Sequence, residues 1–309
     1  VEMWIPHEQG LAMIGTPPDG VVLRVFPSGD ATPPGDPGEV GFWVPPFLAQ
    51  ADSVGLAAKM PALRVVQLLS AGADAWVGRL AGEVTLCDAR GVHDAPTAEW
   101  VVGAVLGVLR QFPAFARAQA QRRWSNREYA PTDELAGKRV LIIGAGSIGA
   151  AIAARLRPFE VELTLVARRP RPAEGVHGVA ELPALLPQAD VAVLVVPHTD
   201  ATRGMVDAEF LARLPDGALL VNAARGPVAD TAALTAELAT GRIAAALDVT
   251  DPEPLPADHP LWAMPNVFIT PHTGGAVHGL LPRAYRLVVD QLRRYLAGEP
   301  LVNRVVDGY

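Results

Sequence analysis

Cysteine is almost absent. The chain of 309 residues carries one, Cys87, so no internal disulfide can form and a reducing compartment is expected. Lysine is nearly as scarce. Lys59 and Lys138 stand alone and arginine supplies the rest of the positive charge, a bias that reads as a GC-rich bacterial genome. Positive charge is itself outweighed. A net charge of −7 argues against nucleic acid or an anionic membrane as the main partner. Long apolar runs are missing too. The longest, residues 101–109, includes two glycines and falls short of the roughly 20 residues a membrane span needs. The opening Val1-Glu2-Met3-Trp4-Ile5-Pro6-His7 lacks the basic and apolar regions of a secretory leader, so a cytoplasmic protein is expected. The histidines and the cysteine show no zinc-ligand spacing, so no metal is expected.

What is present is a globular chain. Hydrophobic residues make up 50% and charged residues 19%. The length allows two domains, at roughly 150 residues each. The first fifty residues are dense in turn chemistry, as in Thr16-Pro17-Pro18-Asp19-Gly20 and Pro33-Pro34-Gly35-Asp36-Pro37-Gly38. Short apolar runs at 21–26, 40–44, 65–69 and 84–87 read as buried strands, with a helix over 47–59. Alternating strands and helices point to a parallel sheet. Asp94 reads as an N-cap with Pro96 in the first helical turn, followed by the apolar stretch 97–109. Pro113 is expected to bend or end that helix, ahead of an arginine-rich helix over 117–127, solvated or facing a subunit. A second series starts at Arg139. Its strands are read at 140–143, 162–166, 191–196, 218–221, 243–247 and 267–269, with helices at 148–159 and 231–240. A last helix over 276–296 is expected to return to the first domain.

The most informative local motif is Gly144-Ala145-Gly146-Ser147-Ile148-Gly149, between a strand and a helix rich in small residues. That order suits a dinucleotide. One glycine makes the turn, one admits the pyrophosphate, one lets helix pack on strand, and the helix N-terminus faces the phosphates. About 20 residues on, an acid would bind the ribose 2′-OH of NAD. The chain instead reads Ala167-Arg168-Arg169-Pro170-Arg171. A guanidinium matches a 2′-phosphate in charge and fork geometry, so Arg168 and Arg169 point to NADPH before NAD.

Further motifs follow in order. They are Val66-Gln67-Leu68-Leu69-Ser70-Ala71-Gly72-Ala73-Asp74, then Ala98-Glu99-Trp100, then Leu135-Ala136-Gly137-Lys138-Arg139-Val140. Downstream stand Leu220-Val221-Asn222-Ala223-Ala224-Arg225-Gly226-Pro227-Val228, Ala246-Leu247-Asp248-Val249, Pro252-Glu253-Pro254-Leu255-Pro256 and Pro265-Asn266-Val267-Phe268-Ile269-Thr270-Pro271-His272-Thr273-Gly274-Gly275. Over residues 66–275 the chain resembles the D-isomer-specific 2-hydroxyacid dehydrogenases, in particular their glyoxylate/hydroxypyruvate reductase branch. The resemblance implies an α/β fold of two Rossmann-like domains, doubly wound parallel sheets with a cleft between them. Residues 1–94 plus 277–309 would form the flavodoxin-like substrate domain, and 95–276 the nucleotide domain. It implies Arg225, Glu253 and His272 as the catalytic set. Arg225 would hold the substrate carboxylate, and His272 would be the general acid with Glu253 as its partner. Gly144, Gly146, Ser147, Ile148, Gly149, Arg168, Arg169, Pro197, Ala224 and Asp248 would meet the cofactor. Ser70, Ala71 and Gly72 would grip the carboxylate by their backbone. A small 2-keto or 2-hydroxy acid substrate and a homodimer are implied as well.

The chemistry needs these groups. Reducing a 2-keto acid leaves an alkoxide that must gain a proton, and imidazolium supplies one near neutral pH. A neighbouring carboxylate favours that charged form and fixes the ring's tautomer. Other residues are read more plainly. Trp43 either packs in the core or walls the pocket, His93 is a minor candidate at the expected hinge, and Cys87 is a small buried hydrophobe. Glu160 replaces a usual glycine, and Thr250 stands where an aromatic is common. A phosphoglycerate or 4-phosphoerythronate dehydrogenase is the nearest alternative. A nucleotide-sensing protein of the corepressor type is a second, from a different class.

Overall fold

The computed structural model describes residues 1–27, 32–47 and 51–306. The chain divides into two compact units, Val1–His93 with His278–Tyr309, and Asp94–Val277.

The first unit holds a five-stranded parallel sheet. Its strands are β1 Glu2–Ile5, β2 Val22–Val25, β3 Val40–Trp43, β4 Val65–Gln67 and β5 Thr85–Cys87, in the order β2-β1-β3-β4-β5. This is the flavodoxin-like order of a doubly wound sheet. Strands β1, β3 and β4 are buried along their length, as parallel strands covered on both faces must be. Side chains alternate between two cores. Met3, Ile5, Phe42 and Val65 join Tyr285, Val288 and Leu292 of the helix Leu280–Ala297. Trp4, Trp43 and Val66 join Leu63 and Trp76 on the opposite face. The helix Glu8–Ile14 meets the C-terminal helix at Gly10, where a Cβ would lie 2.5 Å from the Tyr285 ring. The two ends of the chain therefore build one sheet and its cover.

Strand β1 and the helix after it are absent from the pattern reading, yet β1 is paired on both sides. The run is only four residues long and contains Glu2. In the fold the Glu2 carboxylate accepts from Trp4 Nε1 at 2.8 Å and from Arg24 Nε at 2.9 Å, which makes its burial tolerable. The helix expected over 47–59 is found at Ala51–Ala57, with residues 48–50 outside the described ones.

The second unit holds a seven-stranded parallel sheet. Its strands are β6 Arg139–Ile143, β7 Glu162–Ala167, β8 Val176–Gly178, β9 Val191–Leu194, β10 Leu219–Asn222, β11 Ala244–Leu247 and β12 Val267–Ile269. The order β12-β11-β10-β9-β6-β7-β8 reverses direction between β6 and β9, the switch point of a dinucleotide-binding sheet. The apolar stretch after residue 94 is a core helix. Ala98, Val101, Ala104 and Val105 pack with Val140, Ile142, Ile152 and Val221. Asp94 is the first residue of that helix, Asp94–Leu109, rather than a cap before it. Among the described residues no single helix is long and apolar enough to cross a membrane.

Two boundaries differ from the pattern reading. Pro113 sits in the first turn of a new helix, Phe112–Ala120, bent by 68° from the preceding one. Gln111 at φ 57 makes the break, so proline starts a helix here instead of ending one. The expected helix 117–127 is split, because Arg122 at φ 56 leaves the helical region and only Asn126–Tyr129 resumes it. Strand β8 has no counterpart in the sequence pattern either. Three residues, Val176-His177-Gly178, are too few to show a period, and they become a strand by pairing with β7.

Candidate active site

The glycine motif joins β6 to the helix Ser147–Leu156. Gly144 has φ +119, and a Cβ there would strike the Val195 carbonyl. A Cβ on Gly149 would strike the Gly144 carbonyl, so helix and loop touch backbone to backbone. At Gly146 the same test meets nothing within 4 Å. The loop is therefore packed tightly at its ends and open in the middle, as a phosphate cradle must be. Gly146 caps the helix without a side chain, which leaves the first-turn N–H groups of Ser147 and its successors to face an anion. The residues fit a bound dinucleotide.

The Ser147 hydroxyl is already engaged. It donates to Asp94 Oδ1 at 3.0 Å, so Ser147 serves an anion through its backbone N–H. Arg168 and Arg169 follow β7 and are exposed beside this loop's sheet edge. Arg171, which the pattern reading left out of the site, reaches the loop itself. Its Nη2 donates to the Ala145 carbonyl at 3.0 Å and its Nε to Glu174 at 2.8 Å. Its signal was its place in the arginine run, and only the fold distinguishes it from its neighbours. Pro197 is exposed after β9, and its carbonyl accepts from the Thr202 hydroxyl at 2.6 Å.

Three adjacent parallel strands deliver the remaining groups from their C-terminal ends. Arg225 follows β10, Asp248 and Glu253 follow β11, and His272 follows β12. The loops are pinned to one another. A Cβ on Gly226 would strike the Thr250 carbonyl, so the Arg225 loop lies directly on the loop that leads to Glu253. Thr250 thus contributes its backbone at this crossing, and its hydroxyl donates to the Pro252 carbonyl at 2.9 Å. Asn222 Oδ1 accepts from the Ala224 N–H at 3.0 Å, and Arg225 Nη1 donates to the Ala224 carbonyl at 2.9 Å.

His272 Nδ1 lies 2.6 Å from Glu253 Oε1. An ionised carboxylate only accepts, so Nδ1 carries the hydrogen and Nε2 is left for chemistry. The His272 backbone is at φ +55, a region that side chains other than glycine rarely enter. It is held there by its own N–H, which donates to the Asp248 carbonyl at 2.7 Å. Asp248 itself is buried. Its Oδ1 accepts from the Thr270 hydroxyl at 2.6 Å and the Thr273 N–H at 2.8 Å, and its Oδ2 from the Gly274 N–H at 2.8 Å. Both carboxylate oxygens are thereby spent on the histidine loop, a task the pattern reading, which gave Asp248 to the cofactor, did not foresee.

The family model for the D-isomer specific 2-hydroxyacid dehydrogenase NAD binding domain matches residues 102–274. The chain belongs to the D-isomer-specific 2-hydroxyacid dehydrogenase family. It is 38% identical over 220 residues to human glyoxylate reductase/hydroxypyruvate reductase, covering 68% of this chain and 66% of that one. It is 35% identical over 250 residues to glyoxylate/hydroxypyruvate reductase B of Escherichia fergusonii, covering 78% and 77%. A D-isomer specific 2-hydroxyacid dehydrogenase of Xanthobacter autotrophicus Py2, solved with NADPH and MES, is similar over 100% of this chain and 99% of that one. The TM-score is 0.84 and the identity 36%.

Members of this family are NAD(P)-dependent oxidoreductases, and the first unit of this chain carries the Ser70-Ala71-Gly72 loop after β4. The Ser70 hydroxyl donates to the Gly72 carbonyl at 2.7 Å, so the loop closes on itself. Trp43 lies in the core of the first unit. It is 1% exposed and packs edge-on against Trp76, with ring centroids 5.6 Å apart. An indole that is enclosed in this way serves the core, worth roughly 1.5–3 kcal/mol by burial alone.

Proposed function

We propose that this protein is an NADPH-dependent reductase of small 2-keto acids of the glyoxylate or hydroxypyruvate type, giving the D-2-hydroxy acid. The carrying observation is the His272–Glu253 pair at 2.6 Å, on the same sheet edge as Arg225. When bound, the dinucleotide supplies the hydride. The protein does the rest. Arg225 pairs with the substrate carboxylate in a planar fork and orients its carbonyl. Ser70-Ala71-Gly72, in the first unit, grips a carboxylate through the backbone. His272 holds a proton on Nε2 and releases it to the carbonyl oxygen as negative charge develops there. Glu253 fixes the ring by its Nδ1–H and offsets the imidazolium charge. Asp248 holds the loop that carries the ring. In the oxidative direction, neutral His272 accepts the proton instead.

The NADPH preference is supported by Arg168 and Arg169 standing where a ribose-binding acid would otherwise be, and by the NADPH bound in the Xanthobacter relative. A homodimer belongs to the same proposal and is read by sedimentation. His272→Ala tests the core of it. Turnover of glyoxylate and hydroxypyruvate, followed at 340 nm, is expected to fall by roughly 10²–10⁴, with NADPH affinity within about threefold of the parent. Full turnover in that variant would remove His272 from this role.

A further inference from the structure

His93 ends the first of the two segments that build the first unit, and the mechanism above gives it no task. Its ring is buried, and Nε2 lies 2.7 Å from the carbonyl oxygen of Leu69. A carbonyl only accepts, so Nε2 is the donor. Leu69 directly precedes Ser70-Ala71-Gly72. The peptide plane that contains the Leu69 oxygen also contains the Ser70 N–H, and the peptide is planar. Pinning that oxygen therefore fixes the direction of the first amide of the loop. The rest of the loop is tied as well, since the Ala89 N–H donates to the Ser70 carbonyl at 2.8 Å and Ser70 Oγ to Gly72.

The histidine is held from its own side. Arg283 Nε donates to the Val92 carbonyl at 3.1 Å, and the Val92 N–H donates to the Ala89 carbonyl at 3.0 Å. The Phe47 ring lies beside the imidazole, with centroids 5.8 Å apart. A buried polar ring is retained at a cost unless it makes its hydrogen bond. An aliphatic side chain would fill the same space without it.

We propose that His93 is a positioning residue for the substrate. It sets the Leu69–Ser70 peptide so that Ser70-Ala71-Gly72 presents the geometry that grips the carboxylate. The inference rests on the functional reading of that loop given above.

The test compares two variants of the full chain. His93→Leu keeps the bulk and loses the donor, whereas His93→Gln places an amide N–H near the position of Nε2. Two readouts are taken, steady-state kinetics with NADPH and glyoxylate, and hydrogen exchange of the Ser70–Gly72 amides. His93→Leu is expected to raise the keto-acid KM about tenfold, with kcat and the NADPH KM within about threefold. Exchange in the loop should speed up in parallel, and His93→Gln should bring both back toward the parent. Equal behaviour of the two variants, or an unchanged KM in His93→Leu, overturns the proposal. A parent protein that reduces no 2-keto acid defeats the functional reading instead. Exchange alone then decides whether His93 sets the loop, and an unchanged rate in His93→Leu refutes it.

Discussion

Of the five non-glycine residues at positive φ among the described residues, His272 and Glu160 are held there for different ends. His272, at φ +55, is fixed by the Asp248 carbonyl, and its strain aims a reactive ring. Glu160, at φ +59, merely turns the chain after the 3-10 turn Arg157–Phe159, and its exposed side chain gains nothing from the strain. Glycine would adopt this backbone angle without strain. A left-handed residue costs roughly 1–2 kcal/mol, against roughly 0.5–1 for the extra freedom glycine brings to the unfolded chain. Glu160→Gly should therefore stabilise the protein by about 0.5–1 kcal/mol, seen as a higher urea midpoint at unchanged slope. Cys87 gives a second test at this scale. Burial pushes its thiol up to about 11, against a lowering hydrogen bond from Gln291. The folded protein keeps the proton longer than the unfolded chain, which releases it near 9.0. This contribution to stability is complete below pH 9 and is lost as pH rises through the folded value near 11. At pH 8 a thiol reagent should leave the native protein unlabelled and label the one cysteine after unfolding.

Between elements, the C-terminal helix is locked to the first sheet by a pair of buried amides. Gln291 Nε2 donates to Gln67 Oε1 and to the Val302 carbonyl, each at 2.8 Å, and Gln291 Oε1 accepts from the Val302 N–H at 3.0 Å. Gln67 Nε2 in turn donates to the Leu68 and Asp88 carbonyls. Gln291→Leu would strand several of these groups, and each buried orphan costs roughly 1–3 kcal/mol, so a loss of roughly 2–4 kcal/mol is expected in thermal or urea unfolding. Adding Gln67→Leu should recover part of that loss, because a vacancy on both sides is cheaper than on one. No periodicity announces such a pair. Gln67 reads as an interruption of an apolar strand, just as Glu2 does in β1. Most strands were legible, since Val-rich runs between glycine and proline turns carry their own pattern. Strands β1 and β8 were not, because three or four residues are too few to show one.

At the scale of the molecule, the functional reading predicts a difference between two dinucleotides that share every atom except one phosphate. A ligand bound only by the folded state stabilises it, by about 2.7 kcal/mol at a hundred times its Kd. At equal concentration NADPH should raise the melting temperature more than NADH. Arg168→Ala with Arg169→Ala should narrow the gap toward zero. Equal shifts in the parent protein would withdraw the assignment of those guanidiniums to a 2′-phosphate.

What the amino-acid order determined alone is whatever depends on near neighbours. The glycine turn after β6, the missing ribose acid and the arginine, glutamate and histidine motifs are all local, and local geometry is encoded within a few residues. Tertiary structure decided the rest. It made β1 an inner strand, turned Trp43 into core and spent both oxygens of Asp248 on the loop of His272. It also brought Arg171 onto the glycine loop and Glu253 to 2.6 Å from His272. The reason is that a polar group's role is set by the partner that satisfies it, and partners tens or hundreds of residues away meet only when the sheets form.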